Sequence, residues 1–213
     1  MRVTNPVSGI YKIEVPFEDI YTSVFAVTNG DRYVLIDSAT TDSDVDGYVL
    51  PACRAIGFSA PPECLLLTHT HGDHAGGAHR LSVHFPRLPI YASSPLKHGP
   101  DVRPLADGDL VGGRLTVVML PGHTNASVGF LDGESGTLIS GDCLQLLGIG
   151  RYRNGIRDPE AYLGSIARLR TMPLRRILAS HEYDPYGSVA EGEEAVKAYL
   201  DECERVCRMQ YKP

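Results

Sequence analysis

Apolar runs closed by a polar or small residue set the rhythm of this chain. Tyr33-Val34-Leu35-Ile36 ends in Asp37, Leu65-Leu66-Leu67 in Thr68, and Leu115 to Leu120 in Pro121-Gly122-His123-Thr124. Thr137-Leu138-Ile139-Ser140 delivers Gly141-Asp142, and Arg176 to Ser180 delivers His181-Glu182. Runs of this length, bounded by turn residues, read as buried strands. Ile10 to Val15 and Thr22 to Thr28 read the same way, with Asn29-Gly30-Asp31 a hairpin turn into the Tyr33 run. Ile90 to Ala92 is a further strand and Asp107-Gly108-Asp109 a turn; Ser127 to Leu131 pairs with Thr137 to Ser140. Helical periodicity covers Asp44 to Ile56, where Pro51 fits a first turn better than an interior. A short helix opens at Ala75-Gly76-Gly77, whose small residues permit close packing. Another spans Pro159 to Arg170 behind the N-cap candidate Asp158. The last, Val189 to about Met209, puts Val196, Leu200, Cys203 and Cys207 on one stripe, which reads as core. Strands come first, then helices and strands interleave. That order fits an α+β fold, a four-layer αββα sandwich, with no linker that would split residues 1–213 from a single domain.

Composition agrees with an ordinary globular protein: 213 residues, 43% hydrophobic and 22% charged, at a mean hydropathy of -0.11. A net charge of -6 and a pI near 5.7 argue against a general nucleic-acid or membrane-surface binder. No apolar stretch approaches the roughly 20 residues that span a bilayer, and Met1 to Pro6 holds no signal-peptide h-region. The five cysteines, Cys53, Cys64, Cys143, Cys203 and Cys207, show no framework spacing. Reduced thiols and a cytoplasmic location are therefore expected.

The chemistry concentrates after Leu67. His69-Thr70-His71-Gly72-Asp73-His74 packs three imidazoles and a carboxylate into consecutive positions. On an extended backbone His69 and His71 point to one side and can reach one ion. Gly72 then lets the chain turn, so that Asp73 and His74 emerge toward a second. Imidazole suits zinc, iron, nickel or copper, and the carboxylate adds a hard oxygen. Chance histidines in a solvated loop would not place five of the eight in three short motifs behind strand-like runs.

The order HxHxDH, then GHT, then GD, then a histidine after a short strand resembles the metallo-β-lactamase superfamily of hydrolases, from about Val24 to His181. The resemblance implies the αββα sandwich and a dinuclear centre, with His69, His71 and His123 on the first metal and Asp73, His74 and His181 on the second. Asp142 would bridge them. Two divalent ions are implied, zinc by expectation, with iron and manganese also suited. Five neutral histidines, two carboxylates, two such ions and one hydroxide sum to about +1, with typical metal separations of about 3.5–4 Å. A bridging hydroxide is then the expected nucleophile, and Asp73 the catalytic residue that orients it and takes its proton. Asp37 is expected to accept an N–H from a ligand histidine and fix its tautomer; its plainer alternative is a turn residue before Ser38-Ala39-Thr40.

The expected reaction is cleavage of an ester, thioester, lactone or related bond in a small, anionic substrate. Glyoxalase II enzymes share HxHxDHAGG and an ending like His181-Glu182-Tyr183, but carry a further helical domain for which the 32 residues after His181 leave no room. Quorum-quenching lactonases place a tyrosine three positions after the bridging aspartate, where this chain has Gln145. Leu144 to Asp158 is the expected recognition segment, with Arg151, Arg153 and Arg157 as forks for a carboxylate or phosphate; a solvated loop is the other reading. Tyr183 and Tyr186 are candidates for polarising a substrate carbonyl, or else packed aromatics. His79, His84 and His98 lack a motif and read as surface residues. The rival readings are a mononuclear iron oxygenase resembling the persulfide dioxygenases, and a non-catalytic metal-binding protein.

Overall fold

Consecutive burial explains why the strands appear as runs rather than alternations. Val24, Phe25, Ala26 and Val27 are all buried, as are Leu65, Leu66 and Leu67, so both faces of these strands demand apolar residues. In this computed structural model, which describes residues 2–148 and 155–210, the strands form two sheets in two compact units.

The first unit runs to Leu105 and takes in Leu110–Arg114. Its sheet follows chain order: β1 (Arg2–Val7), β2 (Ile10–Phe17), β3 (Ile20–Asn29), β4 (Arg32–Ile36), β5 (Leu65–Leu66), β6 (Ile90–Ala92) and β7 (Arg103–Pro104). Strands β1 to β4 are an antiparallel meander and β4 to β7 are parallel. Strand β1 was not foreseen, because its pattern is half-exposed. A short β8 (Leu110–Val111) returns to this unit, where Asn29 donates to the Gly112 carbonyl and Arg114 to that of Thr28. Between β4 and β5 lies α1 (Asp42–Asp44), continued through a π turn (Val45–Val49) into α2 (Leu50–Ile56). Pro51 stands at the start of α2, directly after the π segment, and so inside the continuous helical run rather than in the first turn of the helix expected from Asp44. Val45, Val49, Leu50, Ala52 and Cys53 pack with Leu35, Leu65 and Leu67 of the sheet in one core.

Helices α3 (Gly72–Ala75) and α4 (Ala78–His84) follow β5. The turn into α3 does not depend on glycine: Gly72 lies in the first helical turn with open space where a Cβ would stand. The glycines that matter are Gly76 and Gly77, whose Cβ atoms would lie 1.9 Å from the Thr40 carbonyl oxygen and 2.1 Å from that of Ser38.

The second unit holds Ala106–Asp109 and the described chain from Leu115 onward. Its sheet runs β12 (Leu147–Gly148), β13 (Arg176–Asp184), β11 (Thr137–Gly141), β10 (Val128–Asp132), β9 (Leu115–Met119), with β14 (Gly187–Glu191) also paired to β13. Helix α5 (Pro159–Leu169) starts at Asp158, whose carboxylate caps Ala161 N–H at 3.0 Å. The last helix, α6, is Glu193–Gln210 and not Val189 onward. Val189 and Ala190 alternate exposed and buried and pair with Leu178 and Ile177, so the ladder claims them before the helix can start. Val196, Leu200, Cys203 and Cys207 are buried in the core of this unit with Tyr162 and Leu138, and all five cysteines are buried and outside any disulfide. Among the described residues no helix is long and apolar enough to cross a membrane.

Candidate metal centre

In the first unit the donors are positioned by the carboxyl ends of β4 and β5. Asp37 N–H donates to Leu66 at 2.8 Å and Leu67 N–H to Tyr91 at 2.9 Å, so the parallel ladder fixes where both strands stop. Asp37 then turns into a left-handed conformation, φ 62°, and is fully buried. Short polar side chains tolerate that conformation best. One oxygen accepts from Thr68 N–H at 2.8 Å and the other meets His74 Nδ1 at 2.7 Å. The Thr68 hydroxyl lies 2.9 Å from that second oxygen and 3.1 Å from His69 Nδ1. A hydroxyl that donates to the carboxylate can only accept from the imidazole. Both His69 and His74 therefore carry their proton on Nδ1 and present the Nε2 lone pair. Thr68 is the component that sequence reasoning missed; its place between a strand end and the first histidine was the available signal.

His69 and His71 converge as expected, with Nε2 and Nδ1 3.0 Å apart and the rings nearly perpendicular at 81°. His74 Nε2 is 3.3 Å from an Asp73 oxygen. With its proton on Nδ1, His74 turns an Nε2 lone pair toward the Asp73 carboxylate, and two such donors repel unless a proton or a metal ion lies between them. The donor set fits divalent metal.

The second unit brings three more donors together. His123 follows Gly122, whose φ of 141° and whose missing Cβ, 2.5 Å from Tyr162 Cα, only glycine allows. Asp142 follows β11 directly after Gly141 at φ 54°. His181 lies inside β13, not at its end, just past the last β11 partner, Ala179. Asp142 divides its oxygens: Oδ2 is 3.7 Å from His123 Nε2 and Oδ1 is 3.4 Å from His181 Nε2. One carboxylate facing two imidazoles with separate oxygens is the arrangement a bridging ligand needs. His123 Nδ1 in turn meets the Gly155 carbonyl at 2.8 Å.

The other expected residues fare differently. Tyr183 is buried in the core, its ring 6.3 Å from that of His181, and burial, with the Asp142 charge second, pushes its phenol well above the usual range. Tyr186 is exposed beside Tyr199. Arg151 and Arg153 lie outside the described residues; Arg157 is exposed, its N–H donating to Gly122. His79, His84 and His98 are on the surface, where His84 pairs with Asp46 at 2.7 Å.

The profile of the metallo-beta-lactamase superfamily matches residues 18–181. A hydroxyacylglutathione hydrolase of Xylella fastidiosa (strain M23) is 34% identical over 141 residues, 64% of this chain and 53% of that protein. One from Xanthomonas campestris pv. campestris (strain B100) is 34% identical over 78% of this chain and 62% of its own length. This chain thus spans little more than half the length of these relatives. Among solved structures, a metallo-beta-lactamase from Erythrobacter litoralis aligns with a TM-score of 0.74 at 21% identity, covering 95% of this chain and 96% of that one. The protein TTHA1623, in a di-iron-bound form, aligns with a TM-score of 0.63 at 29% identity, over 79% and 91%. The mixed α+β architecture with two sheets is the one these folds share.

Proposed function

Because the chain belongs to the metallo-beta-lactamase superfamily, we propose that it is a metal-dependent hydrolase with a dinuclear centre and that residues 1–213 make a single domain. His69, His71 and His123 would hold one ion, and Asp73, His74 and His181 the other, with Asp142 shared. The observation that carries this reading is Asp142, whose two oxygens address His123 and His181 separately. The ions, when bound, supply Lewis acidity and bring the pKa of a bound water to about 7. The side chains do the rest. Asp73 orients the attacking water and receives its proton, Asp37 holds His74 directly and His69 through Thr68, and Gly155 holds His123. No serine or cysteine nucleophile is needed, and the buried cysteines suit none.

The relatives' name, hydroxyacylglutathione hydrolase, puts thioesters of hydroxy acids first among substrates, ahead of lactones and phosphodiesters. Arg151 and Arg153 would bind an anionic group, and their replacement by alanine should raise KM for anionic substrates more than it lowers kcat. The deciding experiment is zinc, iron and manganese analysis of the purified protein, followed by assay against all three bond types with and without oxygen. Hydrolysis independent of oxygen, at two metals per chain, is expected. Oxygen-dependent turnover with one iron would instead establish the oxygenase.

A further inference from the structure

Gln145 stands close to the centre yet contributes no donor to it. It is buried, and its backbone is held from both sides by Tyr162 on α5. The Tyr162 hydroxyl accepts from Gln145 N–H at 2.7 Å and donates to its carbonyl at 3.0 Å. Tyr162 is itself fixed, completely buried and pressed against Gly122. From this anchored position the Gln145 side chain reaches Gly155. Its Oε1 accepts from Gly155 N–H at 2.6 Å, while the Gly155 carbonyl meets His123 Nδ1 at 2.8 Å. Gly155 is exposed and has no side chain with which to anchor itself. Packing therefore does not fix the carbonyl that orients His123.

We infer that Gln145 is a positioning residue for His123: it pins the Gly155 peptide so that its carbonyl sets the orientation and tautomer of the imidazole. The inference rests on the reading of His123 as a metal ligand. Ligation through Nε2 requires the proton on Nδ1 and an acceptor for it. The Gly155 carbonyl is that acceptor. The Gln145 amide nitrogen, 3.0 Å from the same Nδ1, cannot serve, because two N–H groups do not bond to each other. It cannot turn away either, since Oε1 is committed to Gly155. A glutamate here would keep the first bond and replace the opposing N–H by a second acceptor.

Zinc binding to the full chain, measured by competition with a chromogenic chelator, tests this in Gln145→Leu, Gln145→Glu and His123→Ala. His123→Ala should lose one of two zinc ions. Gln145→Leu should weaken that same ion by about 10- to 100-fold and leave the other unchanged, and Gln145→Glu should bind both at least as tightly as the parent. Parent-like binding in Gln145→Leu, or a tenfold loss in Gln145→Glu, overturns the inference. Should Gln145→Leu fail to fold, Gln145→Glu decides alone by the same criterion. Retention of both ions by His123→Ala removes the ligand reading itself, and the inference with it.

Discussion

Asp37 and His74 are 37 positions apart in sequence, and Oδ2 of one lies 2.7 Å from Nδ1 of the other with neither side chain exposed to solvent. The carboxylate does two jobs at once. It closes the end of β4 by accepting Thr68 N–H, and it sets the tautomer of His74 directly and of His69 through the Thr68 hydroxyl.

Asp37→Asn should therefore keep the fold and lose metal. Asparagine tolerates the left-handed backbone and can still accept from Thr68, but it lacks the charge that makes His74 a strong donor. Zinc at the site of His74 should weaken by about 10- to 100-fold. Asp37→Ala leaves buried donors unpaired and should also cost at least about 2 kcal/mol of stability. Zinc titration and thermal melts check both; parent-like affinity in Asp37→Asn would sink the assignment.

Asp73→Asn separates binding from chemistry. The amide can still offer an oxygen to metal but cannot take a proton from water, so kcat should fall by about 100-fold or more, with KM changed far less. A variant retaining most of the parent rate would show that another group receives the proton.

The glycines after the motif make opposite predictions. Gly77→Ala drives a Cβ to within 2.1 Å of the Ser38 carbonyl oxygen, at the residue whose own N–H and hydroxyl both bond the His74 carbonyl. A loss of about 1–3 kcal/mol is expected, as for other overpacked sites, together with weaker metal binding. Gly72→Ala meets open space and should be neutral or gain up to about 1 kcal/mol from helix propensity. Chemical denaturation of the two variants makes the comparison, and a destabilised Gly72→Ala would restore a conformational role for that glycine.

Burial pushes the thiols of Cys64 and Cys203 up to about 12 and that of Cys53 up to about 11, from the usual 9.0. The folded state holds these protons more tightly than the unfolded chain. Their contribution to stability is thus complete below pH 9 and is lost as pH rises toward 11–12. Iodoacetamide at pH 8 should label none of the three without denaturant, and alkaline unfolding should begin above pH 9. Full labelling of native Cys64 or Cys203 at pH 8 would contradict their placement.

The sequence alone marked the candidate donors His69, His71, Asp73, His74, His123, Asp142 and His181, because metal chemistry restricts residue type and strand ends restrict spacing. Most strands were legible because apolar runs are a local signal. Helix Pro159–Leu169 was legible for a similar reason, since Asp158 and Pro159 mark its start within one residue. The remainder was settled by partners distant in the chain. Val189 and Ala190 suit a helix until β13 offers them a ladder. Gly72 looks like the indispensable glycine until the carbonyls of Ser38 and Thr40 show that Gly77 and Gly76 are. Thr68, Gln145 and Gly155 carry no motif, because a hydroxyl, an amide and a peptide group orient a ligand only through where the fold places them. Donor identity is written residue by residue, whereas donor orientation depends on contacts that exist only after the chain has closed on itself.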